Sequence, residues 1–325
     1  MKPIPLNLLT LFGDLEQKVE INDIHPATIS TKVVRGRRRF YATERIGSTY
    51  RQSYIGLADD PAAGAEAERI RQAAQSAKLR RATVAVLKRA RIPAPTLEVG
   101  RLLEVMARAR LFERGLVLVG TVAYQTYPCV VGAYLSSSAM MTQDADFAIA
   151  SFAVSNLAAC EDIETVLRRA DPSFRAVMHI EDRLPRRFIS NKTNLEVDFI
   201  TTSKREHAAS VPIRGLNCAA VPLRYVEFLI QDPIDVVALY GAGIPVRVPA
   251  PGRFAVHKLI VASRRSKLAK RDKDLSQARE LIDVLSERDR FSLAEAFDDA
   301  RSRGKRWRSA VDTGLARIER NIEAA

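Results

Sequence analysis

At residues 142–147 the chain reads TQDADF, and at 195–200 it reads LEVDFI. No Asp, Glu, Lys or Arg occurs between Arg114 and Asp144, so two carboxylates one residue apart close a long uncharged run. In a strand, residues two apart face the same way. Asp144 and Asp146 therefore project together, with Ala145 and Phe147 on the opposite side. LEVDFI repeats the pattern: Leu195, Val197 and Phe199 suit a core face, leaving Glu196 and Asp198 on the other. If the two strands are neighbours, Asp144, Asp146 and Asp198 converge at one end of a sheet. Unpaired carboxylates so gathered repel and raise one another's pKa, a cost that a divalent cation removes. Oxygen-only ligation suits Mg²⁺ or Mn²⁺ better than zinc. A solvated polar strand end is the competing reading.

Upstream, LVLVGT ends an apolar run with Gly120 and continues with Thr121 into a helical pattern. Glycine allows close backbone approach, a helix start offers free N–H groups to phosphate, and the Thr121 hydroxyl adds a donor. TVAYQTYPCVVGAYL reads as a helix that Pro128 shortens or kinks. The uncharged stretch from Gly115 to Gln143 is long enough to cross a membrane. Gly120, Thr121, Gln125, Pro128, Gly132 and the run Ser136–Ser138 break it instead into a buried strand and a buried helix.

Working outward, ADFAIASF is a strand, EDIETVLRRA a helix and FRAVMHI a strand. RRFIS-NKTN-LEVDFIT reads as two strands around a four-residue polar connection. IPVRVPAP is a strand leaving into a loop. FAVHKLIVASRR, DLSQARELIDVLSE, SLAEAFDDARSR and RWRSAVDTGLARIERNI are helical. Toward the N-terminus, residues 1–25 hold a short amphipathic segment, and VVRGRRRFYATERIGSTYRQSYIGL reads as a small hairpin or meander. Its arginines with Phe40, Tyr41, Tyr50 and Tyr54 suit phosphate contact and base stacking; packing of the same rings on one face of a small sheet is the reading the pattern favours. Glu66–Arg91 forms a helix stopped by Pro93 and Pro95, and TLEVGRLLEVMARARLF forms a second. The expected organisation is an N-terminal accessory segment over 1–92, a mixed α/β core over 93–250 and a C-terminal helical domain over 251–325.

Composition bounds the partners. The 51 Lys and Arg outweigh 38 Asp and Glu, a formal charge of +13, which points to a polyanion such as nucleic acid or to arginine-rich solvated helix faces. Cys129, Cys160 and Cys218 are scattered without a CxxC, which argues against a disulfide framework or structural zinc and fits a cytoplasmic protein. His25, His179, His207 and His257 form no metal-binding spacing. The start, MKPIPLNLLTLFGD, lacks the pattern of a secretory signal. Near 258–271, Lys258 is a candidate contact to a triphosphate or a snorkelling surface lysine. Arg264, Arg265, Lys267, Lys270 and Arg271 are either a phosphate-binding cluster or a solvated helix boundary, and Asp272 and Asp274 serve to balance them.

Gly120–Thr121, Asp144–Ala145–Asp146 and Asp198 together resemble the nucleotidyltransferase-fold superfamily related to DNA polymerase beta: a hydrophobic strand, Gly-Ser or a variant, a DxD or DxE strand, then a later acidic strand. With VPAPGRFAVHKLIVASRR, the resemblance extends over roughly 95–285 to an uncharacterised bacterial nucleotidyltransferase-like family. Thr121 departs from the commoner Ser, and the separation from Gly120 to Asp144 is long for the motif. The resemblance implies an α/β (α+β) nucleotidyltransferase-type mixed sheet with flanking helices, and transfer of an NMP from an NTP to a hydroxyl with release of pyrophosphate. It further implies two Mg²⁺ or Mn²⁺ ions held by Asp144, Asp146 and Asp198, and β/γ-phosphates cradled by Gly120 and Thr121. RNA, including tRNA, is the first acceptor expected and a protein hydroxyl the second. The superfamily also contains toxin-like enzymes acting on tRNA. A nucleic-acid-binding protein that retains the fold without catalysis is the alternative.

Overall fold

The computed structural model describes residues 1–19, 27–46, 49–136, 144–150, 161–178, 183–203 and 210–323. Thr142, Gln143, Cys160, His25, His179 and His207 lie outside the described residues. Helix α1, Leu6–Lys18, is followed by an antiparallel meander of β1 (Thr28–Val34), β2 (Arg37–Ile46) and β3 (Thr49–Leu57). The β1–β2 turn uses Arg35 and Gly36, both at positive φ, as a tight two-residue hairpin requires. Helix α2, Pro61–Arg89, starts with proline in its first turn, and the Asp60 side chain accepts a hydrogen bond from the Ala62 N–H. It lies along one face of the meander, where a Cβ on Gly56 would fall 2.5 Å from that of Ala63. Beneath α1, Phe12 and Leu15 pack with Val84 and Leu87 of α2. Arg80 is buried there but satisfied, donating to the Ala242 and Lys18 carbonyls and to Ser76 Oγ.

Helix α3 is Leu97–Arg108, capped by Thr96. Strand β4, Val117–Val119, then leads into two short helices, α4 (Gly120–Tyr124) and α5 (Tyr127–Val131). The expected single helix is thus divided near Pro128, which opens the second piece. Next come β5 (Asp144–Ile149), α6 (Ile163–Ala170), β6 (Phe174–Val177), β7 (Arg187–Ser190) and β8 (Glu196–Thr202). Residues 210–239, for which the sequence pattern offers no element, supply β9 (Val211–Ile213), β10 (Cys218–Leu223), α7 (Val226–Leu229) and β11 (Ile234–Ala238). Strand β12, Ile244–Val248, closes a hairpin with β11. Four helices follow: α8 (Pro251–Arg264), α9 (Leu268–Arg288), α10 (Arg290–Ser302) and α11 (Lys305–Glu323).

The seven-stranded sheet runs β4-β5-β8-β10-β9, with β7 also on β8 and β6 on β7. Strands β5, β8 and β10 are parallel, while β4, β9 and β7 run antiparallel to their neighbours. This is the mixed α/β arrangement the sequence leads one to expect. Alternation in β8 is complete, with Val197, Phe199 and Thr201 buried and their neighbours half-buried. On the core face Phe147 stacks on Phe199 at 6.0 Å, and Phe188 meets Phe199 edge-on at 6.2 Å. Helices α3 and α6 pack together, their Leu102, Leu103, Val166 and Leu167 joining these rings in the main core. That core also takes in Phe254 of α8 and Leu281 of α9. Helix α8 is enclosed by α9, α10 and α11, so Val256, Leu259 and Ile260 are fully buried.

Candidate active site

Register decides where the carboxylates go. Asp146 pairs with Val119 of β4 on one side and Asp198 of β8 on the other, while Asp144 pairs with Glu196. Asp198 in turn lies opposite Arg187 of β7. A row across four strands therefore reads Val119, Asp146, Asp198, Arg187. The parallel pairing of β5 and β8 brings Asp144, Asp146 and Asp198 together on one face, opposite the phenylalanine core.

The environment of each differs. Burial first, then the carboxylates of Asp198 and Asp144, push Asp146 up to about 6, with Lys258 and Lys270 pulling it back. Asp198 is held by a two-point ion pair: Arg187 Nε donates to Oδ1 at 2.7 Å and a terminal nitrogen donates to Oδ2 at 2.8 Å. The other terminal nitrogen of Arg187 reaches Glu196 at 3.0 Å. These carboxylates hold the Arg187 guanidinium still more firmly in its charged form.

Gly120 is required by two independent facts. Its φ is +67°, in the left-handed region, and a Cβ there would lie 2.7 Å from Asp146 Oδ2. The backbone at the β4–α4 junction thus sits directly against the buried carboxylate. Thr121 is half-buried on the first turn of α4, whose five residues make it too short to give a strong dipole.

A cleft of about 200 Å³ opens between this sheet end and α8. Val119, Gly120 and Asp146 form one wall; His257, Lys258 and Arg265 form the other. Lys258 lines the cleft but is already committed, its Nζ 2.6 Å from Asp274 Oδ1. Arg265 Nε also approaches Asp274, 2.6 Å from Oδ2, as an ion pair without hydrogen-bond geometry. Asp274 therefore balances the basic cluster, in keeping with the sequence reading. Lys273 beside it is pulled down by burial and by Lys258. His257 Nε2 is enclosed without a hydrogen-bond partner among the described residues, and burial with the adjacent Lys258 and Arg265 pushes the ring down to about 3. It is a neutral imidazole throughout the physiological range. Arg224 is shared by the cleft and a neighbouring groove of about 600 Å³, lined also by Arg303, Lys305, Arg306 and Trp307.

The donor set fits a hard divalent cation in kind. It offers oxygen ligands only, on one face, and one of them is a buried carboxylate whose charge is opposed by its neighbours. Among the described residues, however, no three His, Cys, Asp or Glu side chains are gathered closely enough to hold an ion. Asp198 is turned into its pair with Arg187.

Sequence reasoning passed over Arg187, although the signal was present. Once residues 191–194 are the connection, counting back along the hairpin sets Ile189 against Glu196 and Arg187 against Asp198. Arg224 had no such signal, because its place depends on how β10 approaches the sheet, whereas Arg265 belongs to the basic cluster already marked in the sequence and reaches the cleft beside Lys258. No helix among the described residues is long and apolar enough to cross a membrane.

Comparison with known proteins adds a family to this geometry. A family model described as nucleotidyltransferase matches residues 97–302. No curated protein matches the chain. Among solved structures, an antigenic nucleotidyltransferase-like protein from Paracoccidioides brasiliensis is 14% identical, over 68% of this chain and 95% of its own, with a TM-score of 0.33. At that similarity it bears on no individual residue.

Proposed function

The chain belongs to the nucleotidyltransferase family, and from that premise we propose that it moves an NMP from an NTP to a hydroxyl acceptor. The acceptor hydroxyl gives up its proton to solvent as its oxygen forms a bond to the α-phosphorus, the bond from that phosphorus to the oxygen bridging to the β-phosphate breaks, and pyrophosphate leaves with the electron pair. The observation that carries this reading is the row joining Val119, Asp146 and Asp198 across β4, β5 and β8, with Gly120 at the end of β4 set directly against the Asp146 carboxylate. Asp144, Asp146 and Asp198 would hold Mg²⁺ or Mn²⁺. When bound, such ions lower the pKa of the attacking hydroxyl and neutralise charge on the attacking and leaving oxygens.

The remaining roles belong to the chain. Gly120, lacking a Cβ, lets the triphosphate approach the carboxylates closely, with Thr121 as a hydroxyl donor beside it. Lys258 and Arg265 make the opposite wall of the cleft cationic, and Asp274 fixes them in place rather than leaving them mobile. Neutral His257 serves as a hydrogen-bonding group and not as a charge. Polynucleotide, with RNA first, is the acceptor class best supported: Arg224 connects the cleft to the adjoining groove of Arg303, Lys305, Arg306 and Trp307. The buried free thiols Cys129 and Cys218 suit a cytoplasmic setting.

One observation favours the alternative of a non-catalytic nucleic-acid-binding protein: Arg187 engages both oxygens of Asp198. The two readings separate in a transfer assay with α-phosphate-labelled NTPs, total RNA and Mg²⁺ or Mn²⁺. Labelling that disappears in Asp144→Ala and Asp198→Ala supports the enzyme. RNA binding of equal strength in all three proteins, without labelling, refutes it.

A further inference from the structure

The N-terminal meander has two unlike faces. Toward α2 it turns Ala42, which is buried, and Phe40, whose ring lies under the Arg71 guanidinium. Its other face carries Lys32, Arg39, Tyr41, Arg45, Tyr50 and Tyr54, aligned across the strands by the pairs Lys32–Arg39, Tyr41–Tyr54 and Arg45–Tyr50. The sequence pattern favours packing of these aromatics on a sheet over contact with a ligand, and the answer differs by face. Tyr50 is 72% exposed and Tyr54 52% exposed, unusual for side chains so large and apolar.

Cations are interleaved with the rings. Lys32 Nζ lies 5.2 Å from the Tyr41 ring centre, and the Arg39 guanidinium lies 5.6 Å from that of Tyr54. Tyr41 and Tyr54 are themselves 5.6 Å apart. Among the described residues Arg39 Nε is buried without a hydrogen-bond partner, a donor that calls for an acceptor. Residues 28–57 contain seven Lys and Arg but a single acid, Glu44. That acid alternates onto the α2 side and pairs with Arg108, so the three strands place no negative charge on the outer face.

We propose that this outer face binds single-stranded nucleic acid, its phosphates on Lys32, Arg39 and Arg45 and its bases stacked on Tyr50 and Tyr54. Charge complementarity selects a polyanion. The exposed rings select unpaired bases, since a duplex hides the base faces that stacking needs. A three-stranded sheet presents both along one track. The proposal deepens the reading of a polynucleotide acceptor, but binding is measured without turnover, so either can fail while the other stands.

The test is fluorescence anisotropy of the full chain with short labelled oligouridine, oligothymidine and a duplex, over a series of KCl concentrations with EDTA present. Tyr50→Ala/Tyr54→Ala should weaken single-strand binding by about a hundredfold, because each of the two lost stacks costs roughly a factor of ten. Tyr50→Phe/Tyr54→Phe keeps the π-faces and should bind as the parent does. Lys32→Ala/Arg45→Ala should flatten the dependence of log K on log salt by about 0.7 for each phosphate contact removed. Preference for oligouridine identifies RNA as the ligand; equal binding of both single strands identifies any unpaired strand. Unchanged affinity in the alanine pair, equal loss in the phenylalanine pair, or tighter binding of the duplex overturns the proposal. So does a change in self-association, read by sedimentation, as the sole consequence of the alanine pair, which would make a second copy of the chain the occupant.

Discussion

Replacing Asp146 by Asn should stabilise the protein at neutral pH while removing its activity. Raising a buried carboxyl from its ordinary 3.8 to about 6 means that ionising it costs the folded state about 3 kcal/mol, at roughly 1.36 kcal/mol per pH unit. The folded-state pKa lies above the unfolded one, so folded protein holds the proton more tightly. The penalty is absent below about pH 4, grows between pH 4 and 6, and is complete above about pH 6. Asn has the same shape and no charge to oppose. With an unfolding entropy of roughly 2.1 cal/mol/K per residue, the 325-residue chain has about 0.7 kcal/mol/K, so 3 kcal/mol appears as a gain of about 4 °C in Tm for cooperative unfolding. Scanning calorimetry in EDTA, at pH 4 and pH 8, reads this directly. The Asp146→Asn protein and its parent should coincide at pH 4 and separate at pH 8, with the substituted protein higher. Mg²⁺ should then raise the parent alone, by binding the folded form. A substituted protein that melts lower at pH 8, or a gap independent of pH, would refute the reasoning that Asp146 is held in charge conflict.

Other substitutions probe the neighbours. Gly120→Ala should cost roughly 1–3 kcal/mol through its left-handed backbone and its clash with Asp146 Oδ2, and should abolish transfer; a Tm equal to the parent's would contradict the close approach. Arg187→Ala releases Asp198 from its bidentate partner, so Mn²⁺ should bind more tightly to the variant by titration; weaker binding would mean that the arginine helps assemble the site. Asp274→Ala strands buried Lys258 beside Arg265 and should destabilise by about 3 kcal/mol, whereas replacing Lys258 and Asp274 together by Met and Leu should recover much of the loss. Equal melting of all three proteins would show that the buried ion pair does not matter to stability.

The strand of alternating carboxylates, the β7–β8 hairpin and the helices after Pro251 are legible in the chain because their causes are local. A period of two fixes which side of β8 bears Asp198, and a polar four-residue connection fixes its opposition to Arg187. Amphipathic periodicity marks α3 and the C-terminal helices. Strand β10 escapes such reading because most of it is buried beside β8 whichever way its side chains point: CAAVPL neither alternates nor excludes proline, and its place is granted by a neighbour distant in sequence. The pairing of Asp146 with Asp198 likewise awaits the parallel alignment of β5 and β8, since α6, β6 and β7 intervene and nothing local measures that crossover.

Sequence by itself therefore determined which residues of one strand share a face: the two carboxylates of DAD and the acids of LEVD; strand pairing was needed to set Tyr41, Tyr50 and Tyr54 on one side of the N-terminal meander and Phe40 on the other. Only the tertiary structure decided what each face meets. Asp146 is driven up in pKa because α8 and β8 enclose it, Lys258 is tied to Asp274 because α8 packs on α9, and Tyr50 and Tyr54 stay exposed because α2 covers the other side of their sheet. The physical reason is the range of the forces: side-chain direction follows from backbone dihedrals a few bonds away, whereas desolvation, charge pairing and exposure are sums over everything that arrives from elsewhere in the chain.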